Sequence, residues 1–239
     1  MQNEVQFKSR NMLMAVVFFL AVWPLHAQID LSKKIPGIQY EASYHFTSAI
    51  EMEMIFFNKK GQHQMTIPYT SYYRADFEHF CIKHQRGNTV YQTLFDMPNN
   101  NCLIILGEGD QLMGSAAVMK NNEGRELKTL SLERTGEEKE IAGYRCFRYT
   151  FDVPEFTGEL WVSTEPDLPN KLGVLKASKM GKFYEQVPVE GFVLEITSVT
   201  PKGKKTVMKT TAFLDAIDYQ IAIPDDFGAA VNKIDYFDY

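Results

Sequence analysis

The chain has 239 residues, a formal net charge of −5 and 45% hydrophobic residues. An acidic chain lacks the basic surface that phosphates attract, so its charge argues against a nucleic-acid partner and against simple adsorption to anionic lipid. A domain of this length buries about 70% of the surface of its unfolded chain, which is enough for a sizeable core. The composition therefore favours a folded globular domain.

The first 27 residues have the order of a secretory signal. Lys8 and Arg10 precede a 14-residue apolar run over residues 12–25, and Ala27 offers a small residue for cleavage. The run is shorter than the roughly 20 residues that a membrane-spanning helix needs. The order predicts export with cleavage after Ala27. Loss of these two basic residues and one acidic residue changes the net charge from −5 to −6.

The first cysteine after the apolar run is Cys81, followed by Cys102 and Cys146. A bacterial lipoprotein signal needs a cysteine at the cleavage site, so we expect a soluble product that is periplasmic or secreted. Residues 28–239 are predicted to form a single β-rich domain without a transmembrane segment. Three cysteines in an oxidising compartment allow one disulfide with a free thiol, three buried thiols, or an intermolecular bond, and the sequence does not choose among them.

The stretch over residues 40–56 alternates apolar and polar positions. Its even positions are apolar apart from Ser48, and its odd positions are mostly polar. A period of two places the two sets on opposite faces of a β-strand. Because the stretch is far longer than a usual strand, we expect it to bend, to bulge near residues 47–48, or to form the wall of a curved sheet. Its aromatic and methionine-rich face must be covered.

Turns divide the next residues into successive strands. Residues 58–61, 87–88 and 98–101 have the composition of turns, and residues 102–106 (CLIIL) form a short, fully apolar run. Strands that follow one another through tight turns favour antiparallel pairing. The sequence therefore predicts an antiparallel meander.

The middle of the chain has weaker patterns. Residues 107–124 are rich in Gly, Asp and Asn, which predicts a loop with one helical turn over residues 112–119. A strand over residues 128–134 is expected to end at a charged turn, residues 136–139.

Further along the chain, one helix and two strands are expected. Apolar positions over residues 172–187 roughly fit a helical period, which two glycines weaken. Strands over residues 192–199 and 206–214 flank a hairpin turn at residues 201–204.

Motifs for catalysis or metal binding are absent from the sequence. His79, Cys81 and His84 have a trace of metal-ligand spacing, but on a strand His84 lies on the face opposite the other two, so the three would not converge. Neither H-E-x-x-H nor G-x-S-x-G occurs. We therefore expect no catalytic residues, no metal, no cofactor and no enzymatic activity.

Four short motifs follow one another along the chain: T-G-E-E-K-E-I-A-G-Y-R-C over residues 135–146, G-E-L-W-V over 158–162, G-F-V-L-E over 191–195, and Ile223-Pro224 with Phe227. In this order they resemble a family of secreted bacterial domains of unknown function, and the resemblance covers about residues 40–227. Val193 stands where that family usually has proline.

The family looks allied to the periplasmic lipoprotein carriers of the Lol type. This resemblance implies a mainly β (α+β) fold, in which a curved antiparallel sheet forms an incomplete β-barrel with one or two short helices. In the carriers the barrel encloses an apolar cavity that takes acyl chains. No functional residue of the carriers matches a position here.

The expected function is therefore the binding of a lipid, an acyl chain (such as that of a lipoprotein) or another apolar ligand in a β-sheet cavity. The alternative is an envelope-associated interaction or structural module whose core is filled by its own side chains. Methionine suits irregular apolar ligands because its thioether is flexible. The candidate cavity residues are Tyr44, Phe46, Ile50, Met52, Met54 and Trp161.

Overall fold

The computed structural model describes residues 38–109, 112–120, 131–153, 156–178, 189–224, 227–229 and 234–235. The predicted signal over residues 1–27 lies outside the described residues. The longer strands are β1 (Ser43–Phe57), β2 (His63–Tyr73), β3 (His79–Arg86), β4 (Thr89–Asp96), β5 (Asn101–Leu106), β6 (Met113–Lys120), β7 (Ser131–Ile141), β8 (Tyr144–Val153), β9 (Phe156–Ser163), β10 (Phe192–Val199) and β11 (Lys205–Ala222). Two short strands follow, β12 (Gly228–Ala229) and β13 (Ile234–Asp235).

The eleven longer strands form one curved antiparallel sheet. Its order is β7-β8-β9-β10-β11-β1-β2-β3-β4-β5-β6, and β12 and β13 each pair in parallel with β6. Since β6 and β7 lie at opposite ends of this order and do not pair, the sheet is not closed into a barrel. The mainly β, incomplete-barrel architecture that we expected is confirmed.

The predicted turns after β1 and β3 are confirmed. Asn58 Oδ1 accepts hydrogen bonds from the backbone N–H groups of Lys60 and Gln62, at 2.9 and 3.0 Å. Gly61 follows with φ of +75°, a conformation that glycine adopts without a steric penalty. The first connection is therefore fixed by residues that the turn itself requires.

Two predictions for the middle of the chain are wrong. Residues 112–119 are not a helical turn in a loop, because residues 113–120 form β6 and pair with β5. The charged segment 136–139 does not end a strand, because β7 runs through it with a change of register between Arg134 and Glu138. The chain turns instead at Ala142 and Gly143, whose φ angles are +49° and +85°.

The predicted helix over residues 172–187 is confirmed only at its start. A 3-10 turn over Asn170–Leu172 leads into a single helical turn, α1 (Val174–Ala177). Residues 179–188 lie outside the described residues. Leu172 and the four residues of α1 are buried, so this short segment acts as a cover for the sheet rather than as a separate layer.

β1 and β11 form the centre of the sheet and carry its main irregularity. The register of the pair shifts between Phe46 and Ser48, where β11 has two more residues than β1, and Ala216 there has φ of +59°. Of the three alternatives expected for this stretch, the structure has an irregular register near residues 47–48 in a curved sheet, and the two extra residues belong to β11. β1 pairs with β2 only from Ser48 onward, so residues 43–46 and 219–222 form a two-stranded ribbon, here called the arm.

The side chains of the core form two clusters. In the larger cluster, the face of β1 that carries Ile50, Met52 and Met54 packs with α1; we call this face of the sheet the inner face and the opposite one the outer face. In the smaller cluster, Tyr44 and Phe46 of the arm pack against outer-face residues of β3 to β6. Those outer-face residues are Cys81, Leu94, Leu103, Ile105 and Ala116.

Candidate apolar ligand site

The structure separates the six residues that the sequence grouped as candidates. Ile50, Met52 and Met54 are buried side by side on the inner face. Tyr44 and Phe46 lie beyond the bulge, in the smaller cluster. The alternation predicted one continuous apolar face, and this is corrected, because the bulge turns the first part of β1 toward the outer side of β3 to β6.

Trp161 lies on the outer face. It is opposite Glu195 of β10, Glu195 is opposite Lys209 of β11, and Lys209 is opposite Glu53 of β1. Directly opposite residues of antiparallel strands share a face. Lys139 covers the indole, with its Nζ 4.1 Å from the ring centroid and 2.8 Å from the Glu195 carboxylate. Trp161 is therefore buried beneath charged groups on the face opposite Ile50, Met52 and Met54, although all four side chains belong to the larger core cluster.

Inner-face side chains become more exposed toward one end of every strand from β1 to β6. Along β2 the order is Met65, Ile67, Tyr69 and Ser71, and the exposed fraction falls from 44% at Met65 to 0% at Ser71. Along β6, Met113 is 68% exposed while Ser115 and Ala117 are buried. The inner face thus has an open end and a closed end.

Three large apolar side chains of the described residues are exposed, and all three lie at this open end. Met65 is opposite Phe56, and Tyr91 and Met113 belong to one cross-strand row. The row runs through Thr210, Met52, Tyr69, His84, Tyr91, Leu106 and Met113. Clustered exposed apolar side chains mark a binding surface more often than scattered ones do.

Three successive members of this row form an aromatic stack that runs from the interior toward solvent. The ring centroids of Tyr69 and His84 are 4.7 Å apart, and those of His84 and Tyr91 are 5.1 Å apart. Burial raises the pKa of Tyr69 to about 12, whereas Tyr91 is 36% exposed. The stack gives the open end a rigid wall of rings.

The helical segment covers the closed end. Lys176 of α1 is buried, with its Nζ 4.6 Å from the ring centroid of Phe95, and Phe95 stacks on Phe80 at 4.6 Å. A Cβ on Gly173 would lie 2.5 Å from the ring of Phe192, so the backbone approaches this ring too closely for a larger residue. This end of the inner face is filled by the protein's own side chains.

Two buried hydroxyls on the inner face have no hydrogen-bond partner within the ranges that the structure describes. They are Ser71 Oγ on β2 and Thr210 Oγ1 on β11. Ser71 lies opposite Ile50 on one side and Ile82 on the other, and Thr210 lies opposite Met52. Neither hydroxyl was singled out from the sequence, where nothing distinguishes it from a surface hydroxyl.

The three cysteines are free and buried, on different strands. Burial raises the pKa of the Cys102 thiol to about 12 and that of Cys146 to about 11, and it raises that of Cys81 further. Raised pKa values keep the thiols protonated and unreactive at neutral pH. Of the arrangements that the sequence allowed, the structure has three buried thiols.

A polar cluster joins the arm to the sheet at the end of β3. His79 is buried, not exposed as a strand-surface histidine would be, and its Nδ1 lies 3.0 Å from Asp76 Oδ2 while its Nε2 lies 3.5 Å from Glu41 and from Asp96. Tyr44 donates a hydrogen bond of 2.6 Å to Asp96. Among the described residues, no group of three or more His, Cys, Asp or Glu side chains is arranged to hold a metal ion.

An open groove of about 560 Å³ lies where β7 to β11 present mostly outer-face side chains. Its lining mixes charges of both signs with threonine hydroxyls: Glu133, Arg148, Thr150, Asp152, Glu159, Thr197 and Lys205. Arg148 pairs with Glu159 at 2.7 Å and with Glu137 at 2.5 Å. The groove is polar and has no continuity with the row of apolar side chains at the open end.

The sequence matches a family model over residues 46–211, and the family is described as Domain of unknown function (DUF4412). The match covers more than half of the chain, so the chain belongs to this family. No curated protein matches the sequence. The family assignment confirms the resemblance to a domain family of unknown function.

Three solved structures are similar to parts of this chain. The structure of PNGF-II in the C2 space group is 14% identical, with a TM-score of 0.41, and the match covers 79% of this chain but only 31% of that one. MucB in complex with MucA(peri) is 10% identical, with a TM-score of 0.38, and covers 75% and 52% of the two chains. A putative outer membrane lipoprotein-sorting protein domain from Vibrio parahaemolyticus is 11% identical, with a TM-score of 0.29, and covers 71% and 85%.

At these values the three similarities do not assign a function. The helices in the described part of the chain are too short and too polar to cross a membrane.

Proposed function

We infer that this chain is an exported, non-enzymatic domain that binds an apolar ligand, such as a lipid or an acyl chain, on the inner face of its sheet. The observation that carries the proposal is the position of Met65, Tyr91 and Met113. These three exposed apolar side chains lie on three different strands, yet on one face and at one end of it.

The inner face continues from this opening as an apolar surface. Ile67 and Met54 lie behind Met65, and Met52 and Ile50 lie deeper. Met52 and Met54 have flexible thioethers that adapt to ligands of irregular shape. A chain entering between β2 and β6 would therefore meet apolar side chains along its whole path, and the residues that line that path are Ile50, Met52 and Met54 rather than Tyr44, Phe46 and Trp161.

A charge at the opening tests the proposal without disturbing the core. Met65→Glu places a carboxylate on an exposed position, so folding is unaffected, but an apolar chain passing it must displace its water. We expect purified protein to bind a fluorescent fatty acid, and Met65→Glu to weaken that binding roughly tenfold, or about 1.4 kcal/mol. The measurement is a fluorescence titration, with a thermal melt on each variant.

The neighbouring Gln64→Glu is the matched control. Gln64 is exposed and polar, and its replacement by Glu adds the same charge as Met65→Glu without changing an apolar side chain. It should change the affinity little. If the wild type binds no such probe, the inner face is a self-filled core and the alternative, an envelope-associated interaction module, replaces this proposal. Equal weakening by the two variants would show that net charge, and not the opening, controls binding.

A further inference from the structure

The geometry points to a ligand that carries uncharged hydrogen-bonding groups, such as hydroxyls, within its apolar chain, and it assigns Ser71 and Thr210 as two separate positions that each bind such a group. This inference rests on the proposed function and specifies its ligand class. It starts from the two inner-face hydroxyls that have no hydrogen-bond partner among the described residues.

Neither hydroxyl finds a hydrogen-bond partner in the described part of the chain. Ser71 is fully buried between Ile50 and Ile82, and Thr210 is 2% exposed and lies opposite Met52. A buried hydroxyl without a hydrogen bond costs roughly 1 to 3 kcal/mol. Alanine and valine would fill the two positions without this cost, so the hydroxyls are unfavourable for the stability of the empty protein.

Their positions fit the proposed path of the ligand. Ser71 follows Met65, Ile67 and Tyr69 along the inner face of β2, at the point where exposure reaches zero. Thr210 belongs to the same cross-strand row as Tyr91 and Met113. A chain that enters at the open end and lies along β1 therefore passes between β2 and β11, within reach of both side chains.

The hydroxyls also restrict the chemistry of the ligand. A hydroxyl both donates and accepts, so it suits an alcohol, an ester or an amide of the ligand. An ionised carboxylate is disfavoured among Ile50, Ile82 and Met52, because burying a charge in apolar surroundings is far more costly than burying a neutral group. A plain hydrocarbon would leave both hydroxyls unpaired.

The test compares near-isosteric variants against three ligands of one chain length. Ser71→Ala and Thr210→Val remove the hydroxyls while keeping the packing. Decanol, decane and decanoate at neutral pH each displace the fluorescent fatty acid from the wild type and from both variants. Because decanol has a single hydroxyl, we expect one of the two variants to bind it roughly fivefold more weakly; both variants should bind decane and decanoate unchanged and melt at a temperature equal to or above that of the wild type.

The exposed Thr211→Val is the control and should leave all three affinities unchanged. The inference is overturned if decanol and decane weaken by the same factor, if neither variant changes decanol binding, or if decanoate shows the largest loss. Failure of the proposed function looks different, because in that case the wild type does not bind the fluorescent probe at all. A large drop in melting temperature for either variant also counts against it, because a hydroxyl that stabilises the empty protein already has a partner.

Discussion

The two halves of the sheet differ in how far their outer faces are covered by other parts of the chain. From β3 to β6 the outer face is apolar and covered by the arm, so that Cys81, Leu94 and Leu103 are fully buried. From β8 to β10 it carries ion pairs such as Arg148 with Glu159, which are open to solvent on the side of the groove. One sheet thus combines a half that is buried on both faces with a half whose outer face is buried in part, at Trp161, and otherwise open to solvent.

The difference follows from the strand sequences. β5 contains Cys-Leu-Ile-Ile-Leu, a continuous apolar run of the kind found in strands that are buried on both faces. β8 alternates Phe147, Tyr149 and Phe151 with Arg148, Thr150 and Asp152, as in a strand with one solvated face. The arm covers the apolar outer face of the first half, whereas the polar outer face of the second half requires no such cover.

The largest expected effect comes from emptying the covered outer face. Leu103→Ala should lower the free energy of unfolding by about 3 kcal/mol, because Leu103 is fully buried in the smaller cluster. Thr150→Ala, on the outer face of the other half, should change it by less than about 0.5 kcal/mol. Urea denaturation measures both, and similar values for the two variants would contradict the division of the sheet.

A smaller effect is expected from loosening the arm at its polar contact. Tyr44→Phe removes the 2.6 Å hydrogen bond to the buried Asp96 and the acceptor of the 3.0 Å bond from the Glu41 N–H, and should cost roughly 1.5 to 3 kcal/mol, since bonds to charged groups are the stronger ones. Tyr219→Phe, which removes a 2.7 Å bond to the neutral Gln92, is the comparison and should cost about 1 kcal/mol. The order of the two melting temperatures checks this prediction, and a reversed order would refute it.

The smallest expected effect is a local response of the arm to acid. The hydrogen bonds and charge of Arg74 hold the pKa of Glu41 below its usual value. Burial would raise the pKa of Asp76, but hydrogen bonds from the Glu78 N–H and from His79 bring it below its usual value.

Lowered pKa values in the folded state stabilise it above the ordinary carboxyl pKa of about 4, and this contribution is lost as the pH falls below that value. Hydrogen exchange, corrected for intrinsic rates, should show weaker protection of the arm below about pH 4 than at about pH 5, because the carboxylates become protonated in that range. Glu41→Gln should remove part of the dependence. Equal protection of the arm at acid and neutral pH would count against the role of these carboxylates.

The local sequence predicted those elements that depend only on their own residues and not on contacts with distant parts of the chain. The strand over residues 192–199, the turn at Asn58 and the bulge near residues 47–48 each follow from alternation, turn chemistry or length. β6 could not be predicted in this way. Its Gly114 lies under Phe227, so closely that a Cβ would be 2.9 Å from the ring, and its small residues fit a contact made by a distant part of the chain.

The candidate site shows the same limit. Ile50, Met52 and Met54 were predicted as one apolar face because they alternate on one strand. Met65 and Met113 are placed at the same end of the inner face only through the register of β2 to β6, which no local pattern contains. The division of β1 between two clusters was also invisible, because a bulge changes the direction of side chains without changing their spacing in the sequence.

The pairing of β1 with β11 has a consequence for the order of folding. Phe57 pairs with Lys205 and Ser43 with Ala222, so the central seam of the sheet joins strands from opposite ends of the domain. Most neighbouring strands within β1 to β6 and within β7 to β11 are joined by short loops that close quickly, and the exception is residues 164–191 between β9 and β10. The seam requires closure of a loop that holds most of the chain, so we expect it to form last. Until β11 pairs with β1, β1 lacks one of its two neighbouring strands. The arm and the core beneath it cannot form before that pairing.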